Sequence, residues 1–314
     1  MARISPSHWA IDHHLFLAAL VVAVLAAASG TAVGQTVFSQ DGIGPNHDSY
    51  TVLPYEHVDP ASGNLLVIVT DLVLPGNAGL NLTIQRSYNS KIHTSFETGN
   101  YALEEDSWAG IGWRLHFGRV INPSSTTSGA TQIEMSDGSR HPLYTTTAYP
   151  EGWITRDFWR YNRATNTLLL PNGLTYVFGQ LAAANGALGA ARYVTEIRDP
   201  FNNRITFSYF NGTNGPTDGV ASIRQYTNAA QTQYRDVTFA VDPATKSVTS
   251  MTYDGRTWTY QQTASGANSL LTRVTPPAGL PWVYEYNSAS TGAELSALVA
   301  PGGGRIDYGY STVS

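Results

Sequence analysis

Three stretches of the chain, from Val194 to Tyr209, Leu271 to Tyr286 and Leu295 to Tyr310, align without a gap when anchored on Pro200, Pro277 and Pro301. An apolar residue sits six before each anchor (Val194, Leu271, Leu295) and another three before (Ile197, Val274, Leu298). Beyond the anchor come a bulky residue at plus five (Ile205, Trp282, Ile306), an aromatic at plus seven (Phe207, Tyr284, Tyr308) and Tyr at plus nine (Tyr209, Tyr286, Tyr310). Self-similarity of this kind means that one supersecondary unit is stacked many times, so the repeat constrains the fold before any single residue does. Identical aromatics at identical offsets are also better explained by packing than by catalysis.

Each unit reads as strand, turn, strand. The proline ends the first strand because it lacks the ladder donor, and Gly279, Gly303 or Asn202 supplies turn geometry. Offsets five, seven and nine share one face of an extended strand. The first strand is harder: apolar residues three apart fall on opposite faces of a flat strand, so a bulge or a strand covered on both sides is required. A copy is anchored on Pro171, with Leu168, Tyr176 and Phe178 in its slots. A partial copy has Tyr253 as anchor, with Trp258 and Tyr260 following, which makes the C-terminal period 24 residues (253, 277, 301). Between Ile223 and Val241 lies a stretched, degenerate copy. Ser136-Asp137-Gly138-Ser139 and Pro171-Asn172-Gly173 read as two-residue hairpin turns.

Ahead of the repeats, Leu65 to Val69 is a strand signal closed by Thr70-Asp71. Leu80 to Tyr88 is a second strand, alternating Leu80, Leu82 and Ile84 with Asn81, Thr83 and Gln85. Leu181 to Ala191 and Asn211 to Gly219 read as loops, the first with a short helix conceivable. Met1 to Gly34 reads as a secretory signal: Arg3, an unbroken apolar stretch from Leu15 to Ala28, then Ala32-Val33-Gly34 as a small-x-small cleavage site. The apolar stretch falls short of the ~20 residues that span a bilayer, so once the signal is removed no membrane association is expected. The divisions are therefore a signal over 1–34, a lead-in β region over 35–125 and a hairpin strip over 126–314, in a secreted, periplasmic or cell-surface protein. The chain has no Cys, so burial alone must hold it together in a compartment that permits disulfides. Only 13% of residues are charged, the formal net charge is −5 and no Lys/Arg run occurs, which argues against nucleic-acid partners.

No catalytic residue, metal ligand or cofactor is expected. His47, Asp48, Glu56, His57 and Asp59 are dense in donor atoms but lack chelating spacing, and Asp41, Asn46 and Asp48 lack that of an EF-hand. Glu104-Glu105-Asp106 could supply paired carboxylates but reads as a solvated face. A Ser-His-Asp triad has no local marker. The feature with functional reach is the aromatic ladder: Trp258, Trp282 and Tyr284 could stack on surface glycans, or the ladder could simply pack against neighbouring strands.

The units resemble the YD repeats of the rearrangement-hotspot (RHS) family, most closely at Arg198-Asp199-Pro200 with Tyr209; Pro276 and Ala300 replace the aspartate in later copies. The lead-in is similar to the segment that opens such proteins and the B components of insecticidal toxin complexes. That likeness rests on Val58 to Leu65, Thr70 to Gly76, Arg86 to Ser90 and Gly110-Ile111-Gly112-Trp113. The resemblance implies a β-strip that spirals into a shell, either the N-terminal portion of a longer one or a short relative. It also implies a non-enzymatic scaffold tied to toxin delivery or contact between cells. The partners expected are further repeats, or another strand at the C-terminal edge.

Overall fold

In the computed structural model the described residues are 54–310, apart from 61–62, 91–92, 97–99, 104–105, 151, 183–189, 211–218, 229, 266–267 and 288–293. The expected signal, the Asp41–Asp48 donor cluster, Glu104 and Glu105, and most of the Asn211–Gly219 excursion therefore lie outside the described residues.

The described chain is almost entirely antiparallel β, with a single 3-10 turn at Asn77–Gly79. Fifteen strands, from Tyr144–Thr145 to Arg305–Asp307, form one sheet in chain order, which is the strip of stacked hairpins that the repeat predicts. The order is interrupted once. Gln180–Ala182 and Ala191–Tyr193 leave the strip and join Arg119–Ile121, Gln132–Glu134 and Arg140–Pro142 in a five-stranded sheet. Both ends of the Ala/Gly-rich stretch read as a loop are thus strands. The division drawn at 125/126 falls inside this sheet, because Arg119–Ile121 pairs with strands from beyond it on both sides. A four-stranded lead-in sheet is built from Glu56–Val58, Leu65–Leu74, Leu82–Asn89 and Trp113–Arg114.

The repeat positions acquire physical roles. At Pro171, Pro200 and Pro301 the residue before the proline accepts a hydrogen bond from the residue two after it, at 2.9, 3.1 and 2.8 Å. That later residue has positive φ: Gly173 +86°, Asn202 +63° and Gly303 +81°, with Gly279 at +96° in the Pro277 unit. This is a three-residue hairpin loop, a type I turn followed by a left-handed residue. Proline fits its first position, and glycine or asparagine its last. The turns at Ser136-Asp137-Gly138 and Pro171-Asn172-Gly173 are accordingly three-residue loops, not two-residue ones, since only the glycine in each has positive φ. The two-residue form occurs at Asp254-Gly255, where both residues are left-handed (φ 50° and 71°) and Tyr253 pairs with Arg256. Loss of one loop residue there explains why that copy matches only in part.

The apolar pair three apart is resolved by a bulge. Pairing skips one residue at Ala221, Thr249, Thr272 and Ser296. Each skip lies between the two apolar positions, so both turn inward: Val220/Ile223, Val248/Met251, Leu271/Val274 and Leu295/Leu298 are all 3% exposed or less. A bulge frees backbone groups from the ladder, and the plus-nine tyrosine takes one up. Tyr286 donates to the Leu271 carbonyl at 2.6 Å and Tyr310 to Leu295 at 2.9 Å, and Tyr209 makes the same bond to Val194 at 2.6 Å where the chain passes between two sheets. In the partial copy Gln262 takes the tyrosine's place and donates to the Val248 carbonyl at 3.4 Å. Minus six and plus nine are thus two ends of one hydrogen bond.

Candidate functional site: the seam between lead-in sheet and strip

The lead-in sheet lies on the inner face of the later hairpins, and the aromatics at plus five, seven and nine meet it there. Thr70-Asp71, read as the end of a strand, is instead a bulge within the strand Leu65–Leu74. The extra residue lets Val67, Val69, Leu72 and Leu74 all reach the core and turns the Asp71 side chain inward, 4% exposed. Asp71 there binds the guanidinium of Arg86 at two points, 2.8 and 2.9 Å. Arg86 is itself fully buried and donates to the Tyr284 hydroxyl at 2.6 Å, while Tyr260 donates to Asp71 at 3.0 Å. The guanidinium lies within 6.0 Å of the ring centres of Trp113, Tyr260 and Tyr284. Burial pushes the Tyr284 hydroxyl up to about 12, and raises that of Tyr260 well above its ordinary value. Burial works against the Arg86 cation, but Asp71 outweighs it, so the arginine is held charged.

Further bonds run along the seam. Trp113 donates its indole N–H to Tyr286 at 2.8 Å, the Leu295 amide donates to Tyr88 at 2.9 Å, and Tyr308 donates to Glu56 at 2.8 Å. Gln225 donates to the carbonyls of Leu74 and Leu80, both at 3.1 Å. Glu56, one of the donor atoms weighed as a metal ligand, is thereby committed to Tyr308. No group of three or more metal-ligating side chains occurs among the described residues.

The five-stranded sheet carries its own buried charge cluster. Glu134 pairs with Arg114, with Arg119 at 2.8 Å and with Arg140 at 3.3 Å. Burial would raise its carboxyl, but the three guanidiniums hold it well below the usual carboxylate range. His116 is lowered by burial. Its Nδ1 accepts from the Gly118 amide at 3.1 Å, which leaves the proton on Nε2, 3.6 Å from Glu134.

One constellation was invisible in the sequence. His141 lies 3.2 Å from the Ser139 hydroxyl through Nε2 and 2.8 Å from Asp157 through Nδ1. Only the tight turn at Gly138 and the hairpin around Asp157 bring the three together. The Ser139 hydroxyl also lies 2.7 Å from Asp137, a closer acceptor for its single proton than the imidazole, and the residue is 7% exposed. Such a serine is a bracket for the turn rather than an activated nucleophile.

Of the two roles open to the ladder, Trp258 and Tyr284 take packing. Trp258 is 5% exposed and Tyr284 2%, their rings taken up by the core that the lead-in and five-stranded sheets complete. Trp282 is half-buried, with its ring edge-on to Tyr55 at 5.1 Å. Phe207 and Tyr209 are buried as well, whereas Tyr310, just past the last described strand, remains 42% exposed. Among the described residues no helix is long and apolar enough to cross a membrane.

A family model described as a domain of unknown function, DUF6531, matches residues 55–143, which span the lead-in sheet and three strands of the five-stranded one. No curated protein matches the chain. Among solved structures, the chain is similar to the TcdB2-TccC3-Cdc42 crystal structure, with TM-score 0.42 and 9% identity over 71% of this chain and 16% of that one. The Tc holotoxin pore of Photorhabdus luminescens aligns with TM-score 0.41 and 10% identity over 79% of this chain and 17% of that one. The N-terminal domain of effector protein SpvB from Salmonella typhimurium strain LT2 aligns with TM-score 0.32 and 14% identity over 77% of this chain and all of that one. The alignments to the two toxin structures thus take in about a sixth of those chains.

Proposed function

We propose that the chain is a non-enzymatic, exported scaffold: a length of RHS-type shell wall that serves toxin delivery or contact between cells. The observation that carries this reading is the fifteen-strand meander with a lead-in sheet latched to its inner face. The polar groups buried along that seam are spent on holding two sheets together, which is what a wall requires. The wall has an unused edge: Arg305–Asp307 pairs with Leu295–Val299 and, among the described residues, has no strand on its other side. Unpaired edge groups recruit another strand, supplied by further repeats or by a second chain.

Hydrogen exchange and light scattering test this together. The expected outcome is association that rises with concentration, with protection of the Arg305 and Asp307 amides, which face away from Leu295–Val299, and loss of both in Asp307→Pro. A protein that stays monomeric at every concentration, with those amides exchanging freely, would refute the edge-pairing wall.

A further inference from the structure

We infer that a shallow pocket on the outer face of the early hairpins binds the carboxylate end of an apolar ligand. It has a volume of about 350 Å³ and is lined by Phe158, Arg160, Leu169, Leu170, Pro171 and Gly173. The strand register explains how it forms. Tyr161 and Leu168 face each other on the buried side, so their neighbours Arg160 and Leu169, also directly paired, share the outer face. The three-residue loop at Pro171 supplies the far wall. Its Gly173 leaves no room for a larger residue, since an added Cβ would come within 2.5 Å of Pro200.

Two features set this pocket apart from ordinary surface. Phe158 and Leu169 are 74% and 44% exposed, and Phe158 has φ +62°, a left-handed conformation that a bulky side chain rarely adopts. The loop sets that angle, since the Phe158 amide donates to the Thr155 carbonyl at 3.1 Å and the Thr155 amide to Trp159 at 3.0 Å, as in the proline turns. Glycine or asparagine would fill it at less cost, so what the phenylalanine adds is its exposed ring. The second feature is charge. Arg160 lies 5.9 Å from the Tyr149 ring but has no carboxylate partner among the described residues. The outward row runs on from Leu169 through Thr175 to Arg198 and Arg204, which share the single Glu196 at 3.6 and 3.4 Å. Asp157, the acidic residue beside Phe158, is engaged by His141. A local cationic surface on a chain of net charge −5, bordered by apolar walls, matches a ligand with one carboxylate and a compact apolar body.

Octanoate and the peptide acetyl-Gly-Leu-Phe with a free C-terminus offer this chemistry in two forms. Titration of each into the full chain, followed by amide chemical shifts, is expected to move signals of the 158–173 segment. Octanamide and the amidated peptide should bind on the order of tenfold more weakly, because they lack the charge that Arg160 recognises. Tighter binding of the free peptide would identify a protein chain end as the ligand, and tighter binding of octanoate an aliphatic acid; either supports the pocket. Arg160→Gln should abolish the preference for acid over amide. Phe158→Asn, which suits a left-handed position, should leave thermal stability unchanged or raised while weakening both acids. Equal binding of acid and amide, an undiminished acid preference in Arg160→Gln, or no binding of either acid would overturn the proposal. None of these outcomes depends on the edge at Arg305–Asp307, so this test and that of the wall fail separately.

Discussion

The tyrosine at plus nine makes a graded prediction, because its three copies sit in different surroundings. Tyr286 donates to the Leu271 carbonyl and accepts from Trp113, so Tyr286→Phe strands two groups in the seam. At roughly 1–3 kcal/mol for each buried group left unsatisfied, the loss should be about 3 kcal/mol. Tyr209 is 8% exposed and serves Val194 alone, so Tyr209→Phe should cost about 1–2 kcal/mol. Tyr310 is 42% exposed, but its hydroxyl meets both the Leu295 carbonyl and the buried Tyr88 hydroxyl, so with water reaching only part of the site the loss should be about 1–2 kcal/mol. Urea denaturation midpoints at unchanged slope measure the series. In a cycle with Trp113→Phe, the Tyr286 variant should show coupling on the order of 1 kcal/mol. Equal losses at the three positions, or no coupling between Trp113 and Tyr286, would show that the tyrosines matter only as rings and that the bulge bond is incidental.

Three further outcomes follow from the same geometry. Asp71→Asn should destabilise by about 3–5 kcal/mol because it leaves the buried Arg86 cation uncompensated, whereas Asp71→Leu with Arg86→Leu should cost less than either single change; chemical denaturation of the set distinguishes the two. Deleting Thr272 should turn Leu271 outward and cost more than about 4 kcal/mol, while Thr272→Ala stays within about 1 kcal/mol, because only the deletion removes the bulge. Stability should fall on acidification in two stages. His116 and Glu134 are both lowered in the folded state, so the unfolded chain binds more protons at acid pH. The His116 loss begins as pH drops through about 6.5, and the Glu134 loss below about 4.3. His116→Asn, whose side-chain oxygen can still accept from Gly118, should remove the first stage and keep the second when melting temperature is followed against pH.

The residues most legible in the sequence were those whose role is local. Proline at the head of a turn and glycine or asparagine two residues later are dictated by the loop's own dihedral angles, so the Pro200, Pro277 and Pro301 units were placed in register. The stretched copy between Ile223 and Val241 proved to be a hairpin with Val237 and Phe239 facing inward, although its longer turn has no proline and puts Gln231 in the left-handed position. Period-two reasoning failed where a bulge intervened. It stopped the strand at Thr70-Asp71, although the extra residue aims Asp71 at Arg86. The requirement for a bulge or a doubly covered strand was legible, but the choice between them needed the position of Tyr286 relative to Leu271. That Trp258 and Tyr284 pack was one of two readings open in the sequence, but the sheet they pack against was not legible. Alternation says which residues share a face, but not that a sheet from far earlier in the chain covers it. The meeting of Ser139, His141 and Asp157 depends likewise on strand pairing that no spacing reveals.

The bond between the Leu295 amide and Tyr88 joins residues 207 apart in sequence. A ribosome adding roughly 5–20 residues per second needs about 10–40 s to supply that partner after Tyr88 has been made. For that interval the sheet around Tyr88 has only part of its cover, from Trp113 and the strands made before Leu295. The last hairpins therefore close a core that the first residues of the sheet opened, and the two ends of the described chain complete their burial together.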